Sequence, residues 1–554
     1  MRRRGHLFCL GMALGALMAA PGLSAEPDPT APAARIRLQP LGSYREVKPG
    51  APGICRTRLT EIAAYDPASR HLFTTNAADA ALDVLGIADP TKPVLLRRVR
   101  LGTYGLPTSV AAQGGVVAVA MERVGAAATE PGTIVLLDAS GRVLHAVMVG
   151  VSPDMVTFTP DGRRLLVANE GEPSPDYRID PEGSISIVDL SHGPASATVR
   201  TAGFKRFAAD RLRRKGVRIF GPNATAAQDL EPEYIAVAPD SRTAWVTLQE
   251  NNALAVVDIE RARVASVLGL GTKRHALPGS GLDASDQDER IRIRPWPVRG
   301  LYQPDAVATY RTAGAIYLVT GNDGSPRQEE GFDEVVRVHD LVLDPQRYPH
   351  AAWLQQDANL GRLQVSKVGA DPDGDGDVAR LLAFGARSFS IRRTDGALVF
   401  DSGDELERIT ARDAVYAPAP NLFNTPDDEN SFDERSDARG PEPAGLTLGR
   451  IGHRTYAFIA LRRPSGIATY DITDPGRPRF QTYANTRDFT QDPKAVGDND
   501  TDLFVNCAAG DLGPEGVLFI PAAQSPTGQA LLAVAFETSG STRLFRIRAA
   551  DGAR

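Results

Sequence analysis

One short motif recurs along this 554-residue chain and constrains its fold more than any other feature. An acidic residue is followed by an apolar stretch and, in four copies, by a proline six residues later. These four copies begin at Glu61, Asp154, Glu233 and Glu515. Two copies without the proline begin at Asp305 and Glu442, and two with a hydroxyl residue in place of the acid begin at Thr108 and Ser388. The chain therefore carries eight copies of one local pattern.

Each copy continues into further short apolar runs, such as residues 165–168 and 185–189. Short β-branched runs with turn residues between them predict antiparallel strands. A unit of three or four strands, repeated at roughly 45–80 residues, is typical of β-propeller blades. We therefore predict an all-β fold with a single closed β-propeller of eight blades, or of seven if the Ser388 copy merges with its neighbour. A row of β-sandwich domains is the alternative.

The copies are unevenly spaced, which predicts insertions near residues 192–230, 272–300 and 340–385. A segment at 34–45, which begins Ala34-Arg-Ile-Arg-Leu38, precedes the first copy. We predict that it supplies the outer strand of the last blade, because this pairing would remove the exposed edges of an open sheet. The propeller domain would then occupy residues 26–554.

The first 25 residues predict a signal peptide. Arg2, Arg3 and Arg4 precede an apolar run at 7–18, and small residues end at Ala25. The run is short for a membrane anchor, which is the alternative. We therefore expect a periplasmic or secreted protein with no membrane span after cleavage. The net charge of −6 and the absence of a Lys/Arg block disfavour a nucleic-acid partner, and we expect a monomer.

The chain has three cysteines, and the first, Cys9, lies in the predicted signal peptide. Cys55 and Cys507 remain, one near each end of the mature chain. Two lone cysteines in an oxidising compartment usually pair or stay buried. We predict a Cys55–Cys507 disulfide.

Several long motifs resemble the choice-of-anchor I family. They occupy residues 152–162, 167–173, 180–190, 387–391, 399–403 and 432–442. The resemblance implies a secreted or surface β-propeller, and some members are described as mesenchyme-specific cell-surface glycoproteins. Members often carry a C-terminal anchor or adjoin phosphatase domains, whereas this sequence ends after its last predicted strand, which favours a soluble form. The family implies no established activity.

The repeat acids predict a charged ring. They stand just before innermost strands, and a radially closed repeat maps equal offsets to equal radii. Crowded carboxylates raise each other's pKa unless a cation neutralises them, and their oxygens suit calcium. The predicted calcium ligands are Glu61, Asp154, Glu233, Asp305, Glu442 and Glu515. The side chains predicted to bind a ligand beside them are Asn169, Glu170, Asn322, Asp323, Arg387, Arg435 and Arg439.

Alternatives remain open for this ring. Arginines, including Arg462 and Arg463, could neutralise it instead of calcium, and each acid could simply hydrogen-bond backbone N–H groups in its own turn. A second candidate is the alternating acidic segment 371–377. It resembles the start of a calcium loop, but Leu382 stands where an EF-hand requires an acid.

Two function classes fit these patterns. The first is a binding or scaffolding propeller for a small-molecule or protein ligand, with an acidic, calcium-binding channel mouth. The alternative is a calcium-dependent phosphoesterase similar to propeller phytases or alkaline phosphatases, which would combine bound metal with basic residues for the phosphate. The sequence contains no Gly-x-Ser-x-Gly elbow and predicts no catalytic residue, so enzymatic activity stays open.

Overall fold

The structure is a computed structural model that describes residues 35–125, 129–416, 423–494 and 504–550. The predicted signal peptide, residues 1–25, lies outside the described residues. Seven four-stranded antiparallel sheets follow one another along the described chain. The fold is therefore all-β and built from repeated sheets, as the sequence predicts.

The strands of each sheet are named here from the inner strand, which contacts its equivalents in neighbouring sheets, to the outer strand. The inner strands are Ala63–Asp66, Leu106–Gln113, Pro153–Phe158, Pro232–Val237, Val307–Thr312, Pro443–Ile451 and Pro514–Ile520. The second strands are His71–Asn76, Val116–Glu122, Arg164–Asn169, Thr243–Leu248, Ala315–Asn322, Arg454–Leu461 and Leu531–Phe536. The third strands are Ala81–Gly86, Pro131–Asp138, Ser184–Asp189, Ala253–Asp258, Ser388–Arg393, Gly466–Asp471 and Ser541–Ala549. The outer strands are Val94–Arg100, Val143–Val151, Thr198–Gly203, Arg263–Gly269, Leu398–Asp401, Arg479–Asn485 and Ile36–Tyr44.

The core lies between neighbouring sheets. In the second strand of the third sheet, Leu165 and Val167 pack against the second sheet. Leu166 and Ala168 point the other way and pack against the fourth sheet. Alternate residues of a strand point to opposite faces, so a strand covered on both faces needs a continuous apolar run. This is why the second strands carry consecutive apolar residues, such as Leu165 to Ala168.

The inner strands of consecutive sheets contact one another, and the seventh also contacts the first. At that last contact, the Gly516 N–H donates to the Glu61 carbonyl oxygen at 2.9 Å. A Cβ at Gly516 would lie 2.3 Å from the same oxygen, so this approach requires glycine. The predicted pairing of an N-terminal strand with the last sheet is also present, since Ile36–Tyr44 lies antiparallel to Ser541–Ala549.

The predicted eighth repeat is not a separate sheet. Ser388 begins the third strand of the fifth sheet, where it pairs with Ala315–Asn322 on one side and Leu398–Asp401 on the other. An apolar run after a hydroxyl residue cannot distinguish a buried third strand from an inner strand, because both are apolar. The described chain therefore contains seven repeated sheets.

Two of the predicted insertions fold together. Segments from 272–300 and 340–385 join neighbouring residues in one five-stranded sheet. Its strands, in spatial order, are Thr272–Arg274, Arg299–Leu301, Leu382–Ala383, Gln364–Ser366 and Val335–Arg337. The predicted insertion 192–230 includes the outer strand of the third sheet and two short helices.

The remaining elements are short. The helices are Ala209–Arg213, Ala226–Asp229, Ala351–Leu354 and Glu405–Tyr416. Among the described residues, none of these helices has the length and apolar character needed to cross a membrane. Two further strand pairs are Gln328–Glu329 with Phe332–Asp333 and Ile54–Arg56 with Phe504–Asn506.

The predicted disulfide is confirmed. Cys55 lies in Ile54–Arg56, Cys507 directly follows the strand paired with it, and their Cα atoms are 5.1 Å apart. The bond joins segments that are 452 residues apart in the chain, beside the meeting point of the first and last sheets.

Candidate functional site

One equivalent position recurs at the start of every inner strand. In six sheets it directly follows a proline, and two of these prolines lie opposite the end of the second strand, Pro153 with Asn169 and Pro514 with Phe536. In the first sheet it follows Thr60. From the first sheet to the seventh, it is filled by Glu61, Thr108, Asp154, Glu233, Asp305, Ala444 and Glu515. Five sheets therefore place a carboxylate at the same level.

All five carboxylates line one cavity of about 220 Å³. Asp323, Arg439, Arg462 and Gln249 also line it. The cavity shares wall residues, including Tyr234, with a channel of about 400 Å³ that runs between the inner strands. This acidic cavity has six carboxyl groups and two guanidinium groups, and five of the six predicted calcium ligands line it.

Burial and mutual repulsion raise the pKa values of these acids, which favours their protonated forms. Burial, reinforced by Asp323 and Asp154, raises the pKa of Asp305 to about 8. Burial also raises the pKa of Asp323 to about 8 and that of Asp154 to about 7. The cause is the same at Glu61 and Glu233, where desolvation and neighbouring acids raise the pKa well above its usual value.

Asp305 and Glu515 meet as a carboxyl pair. Burial, reinforced by the neighbouring carboxyls of Asp305 and Glu537, raises the pKa of Glu515 to about 8 although Arg462 opposes the shift. Arg462 lies on the other side, with Nη1 3.1 Å from Glu515 Oε2. The cavity therefore balances its charge partly by protonation and partly by arginine.

Glu442 does not join the acidic cavity as predicted. Its place in the repeat is wrong by two residues, because the register puts Ala444 at the equivalent position. Its side chain is instead held by three arginines. The contacts are Arg435 Nη2 to Oε1 at 2.7 Å, Arg463 Nε to Oε2 at 2.8 Å and Arg439 Nη2 to Oε2 at 3.2 Å. Burial alone would raise the pKa of Glu442, but the arginines outweigh it and hold the pKa well below its usual range.

Asn169 and Asn322 are engaged inside their own sheets. The Asn169 side chain donates to Ser184 Oγ at 3.2 Å and Ser186 Oγ at 3.1 Å. Asn322 donates to Ser390 Oγ at 2.8 Å in the same way. Both side chains are fully buried, and they hold adjacent strands together rather than face the cavity.

The other predicted ligand-binding residues divide into three places. Glu170 is half-buried beside Asp154, and burial followed by neighbouring acids raises its pKa well above the usual value. Arg435 holds Glu442, and Arg439 bridges Glu442 and the acidic cavity. Arg387 is buried away from the cavity, where it donates to Glu407 Oε1 at 2.7 Å and to three backbone carbonyl groups.

The sequence analysis missed Gln249 and Tyr234 as cavity residues. Gln249 follows the second strand of the fourth sheet and donates to Asp323 Oδ1 at 2.8 Å. Asp323 and Arg462 follow the second strands of their own sheets, so this position faces the mouth repeatedly. A search for residues that directly follow each second strand would have found Gln249 together with Asp323 and Arg462.

Compact groups of acids occur elsewhere in the described chain. Groups of three whose ligand atoms lie within 4.8 Å of one another are Asp371, Asp373 and Asp375, and Asp283, Asp288 and Asp433. The first group belongs to the predicted calcium-like segment and is largely exposed, with Asp371 accepting the Gly374 N–H in its own turn. The second group is buried.

Two curated relatives match parts of the chain. Gigasin-3a from Magallana gigas is 31% identical over 205 residues, which are 36% of this chain and 68% of the relative. A mesenchyme-specific cell surface glycoprotein from Strongylocentrotus purpuratus is 29% identical over 291 residues, which are 46% of this chain. The chain covers about a third, 36%, of that second relative's length.

Solved structures and a family profile complete the comparison. Hydrazine synthase of Kuenenia stuttgartiensis has a TM-score of 0.44 at 13% identity, covering 91% of this chain and 100% of that chain. The Pan2 WD40 domain of Neurospora crassa has a TM-score of 0.43 at 10% identity, covering 94% and 98%. The profile of the choice-of-anchor I domain matches residues 61–475, which include the strands of the first five sheets and most of the sixth. The chain belongs to the choice-of-anchor I family.

Proposed function

We propose that this protein is a secreted or surface-exposed binding module, built as a closed seven-bladed β-propeller whose acidic cavity holds a calcium ion at the channel mouth. One observation carries the proposal: five inner strands bring a carboxylate at the same position to one cavity. The disulfide fits an oxidising compartment. The printed name of one relative, a cell surface glycoprotein, supports the same location.

Closure of the ring is supported by contacts between sheets. The inner strands touch in chain order, and the seventh touches the first through Gly516 and Glu61. Because Ile36–Tyr44 completes the seventh sheet, the first and last strands of the described chain belong to the same blade. A ring of this kind turns a repeated sequence position into a ring of side chains around the channel.

Calcium is the cation that the chemistry of the cavity favours. The cavity offers carboxylate oxygens and the Gln249 side-chain amide, which are hard oxygen donors. Six carboxyl groups face two guanidinium groups, so acidic groups outnumber basic ones. A bound divalent cation would replace the protons that now relieve this repulsion.

The spacing of the acids limits how tightly calcium is held. Among the described residues, the groups whose ligand atoms lie within 4.8 Å do not include the cavity acids. Calcium in the cavity is therefore bridged to some carboxylates through water. We expect a dissociation constant of about 10⁻⁴–10⁻³ M, the range of extracellular calcium modules.

Thermal unfolding of the full chain tests the proposal. After EDTA treatment and removal of the chelator, added calcium at millimolar concentration should raise the melting temperature through binding linkage, and magnesium should raise it less. Asp305→Asn should abolish the millimolar phase of this rise, whereas the control Asp371→Asn, in an exposed acidic turn, should retain it. A millimolar phase that is absent from the unmodified chain, or unchanged in Asp305→Asn, would contradict the proposal.

Hydrolysis assays separate the two function classes. The binding proposal predicts no calcium-dependent turnover of p-nitrophenyl phosphate or phytate by the purified chain. Turnover that requires calcium and is lost in Asp305→Asn would replace the binding module with the phosphoesterase alternative.

A further inference from the structure

A buried acidic cluster lies outside the acidic cavity, in two long connections between sheets. Asp283 and Asp288 belong to the connection between the fourth and fifth sheets, and Asp433 belongs to that between the fifth and sixth. One carboxylate oxygen of each lies within 4.8 Å of the other two. The cluster therefore brings together two segments that are far apart in the sequence and outside the repeat.

Two carboxylate oxygens of this cluster have no hydrogen-bond partner. They are Asp288 Oδ2 and Asp433 Oδ2, and both are buried. The Asp288 side chain is 1% exposed, and Asp433 as a whole is also 1% exposed. The basic atoms near Asp288 Oδ2 are Arg292 Nη1 at 3.6 Å and Arg290 Nε at 3.9 Å, beyond hydrogen-bond distance. A buried carboxylate oxygen without a partner is unfavourable, and a bound cation would remove this cost.

Further oxygens of the same network are also unsatisfied. Glu407 Oε2 and Asn424 Oδ1 are buried without a hydrogen-bond partner. Asn424 Nδ2 donates to Glu407 Oε1 at 3.2 Å and to Ser436 Oγ at 2.7 Å. Ser436 Oγ in turn donates to Asp433 Oδ1. The hydrogen bonds thus hold one polar atom of Glu407, Asn424 and Asp433 and leave the other side-chain oxygen of each unsatisfied.

Arg387 supplies the buried positive charge beside this network. Its guanidinium group donates hydrogen bonds to Glu407 Oε1 and to the carbonyl oxygens of Asp283, Ser436 and Ala438. Arg292 and Arg290 add two guanidinium groups near Asp288. Three guanidinium groups therefore lie near the four carboxyl groups of the network, so carboxyl groups still outnumber basic groups.

We propose that Asp283, Asp288 and Asp433 form a buried calcium site that ties together the connections on either side of the fifth sheet. The available donors are carboxylate oxygens, with an amide oxygen in the same network, and calcium prefers such oxygen ligands. The cluster contains neither His nor Cys, the ligands that zinc prefers. Its close spacing and burial favour tighter binding than in the acidic cavity.

Calcium measurements on the purified full chain test this site. The chain is stripped with EDTA, dialysed into calcium-free buffer and titrated with calcium alone by equilibrium dialysis. We expect one equivalent bound at micromolar concentration, about 10⁻⁶ M, before the millimolar phase. Asp433→Asn and Asp288→Asn should each lower the affinity of this equivalent at least tenfold, because each isosteric change removes one charge from the ion.

Matched variants keep the two calcium proposals separate. Asp305→Asn in the acidic cavity and Asp371→Asn in the exposed turn should leave the micromolar equivalent unchanged. Far-UV circular dichroism checks that each variant folds. Absence of a micromolar equivalent in the unmodified chain overturns the buried site, as does retention of wild-type affinity in folded Asp433→Asn. If the unmodified chain shows the micromolar equivalent but no millimolar phase, only the cavity proposal is overturned.

Discussion

Removal of the Cys55–Cys507 disulfide should strongly destabilise the folded chain. The bond closes a loop spanning 452 residues, and its main effect in the chain-entropy treatment is to restrict the unfolded state. The entropy lost by the unfolded chain grows with the logarithm of loop length. For this loop it corresponds to about 6 kcal/mol at 25 °C. The free energy of unfolding of the double variant Cys55→Ala/Cys507→Ala should therefore be lower than that of the oxidised chain by about 6 kcal/mol.

Guanidinium unfolding, followed by circular dichroism and tryptophan fluorescence, measures this loss. The oxidised wild-type chain, the same chain kept reduced and the double variant are compared. The reduced chain controls for the cost of the substitutions, because Cys55 is 1% exposed and its replacement changes a packed position. We expect the reduced chain and the double variant to unfold at similar, much lower denaturant concentrations. If both lie within about 1 kcal/mol of the oxidised chain, the reasoning is wrong, since the ends would already be constrained in the unfolded state.

Two further predictions concern the acidic cavity and the ring. In calcium-free buffer the free energy of unfolding should fall as pH rises from about 5 to 8, because folded Asp305, with a pKa of about 8, keeps a proton that the unfolded chain has already released. Urea unfolding of Asp305→Asn should give a flatter slope, and equal slopes would contradict the assigned pKa. Gly516→Ala should destabilise the chain by about 1–3 kcal/mol, because its Cβ would meet a backbone oxygen of the first sheet at 2.3 Å. The control Gly203→Ala, which has open space around it, should change thermal stability little, and equal effects of the two would argue against a tight contact between the first and last sheets.

The repeated sheets could be predicted because their signal is local. An apolar run between turn residues identifies a strand, and recurrence of the run identifies the repeat. The error at Ser388 arose because the sequence does not show pairing partners. Its strand pairs with Ala315–Asn322 across an insertion of more than sixty residues, so its position in the sheet depends on a contact distant in sequence.

The acidic cavity could be predicted where the register was clear. Five acids share one position at the start of an inner strand, and four of them directly follow a proline, whereas Glu442 precedes its proline and falls out of register. Asn169 shows a second limit. It ends a second strand and points into its own sheet, while the neighbouring Glu170 lies among the acids. Sequence alone did not determine which of the two adjacent polar residues faces the mouth.

The buried cluster could not be predicted, because it does not belong to the repeat. Asp283 and Asp433 come from different connections and meet only because the fifth sheet brings its two flanking segments together. Their physical setting also differs from that of the cavity acids. The cavity spreads its carboxylates over five sheets and offsets them with Arg462, whereas the cluster packs three within 4.8 Å under nearly complete burial. On both proposals, calcium fills the compact site first and stiffens the connections beside the fifth sheet. The acidic cavity, where calcium is bound through water, is then occupied only at the higher calcium concentrations found outside cells.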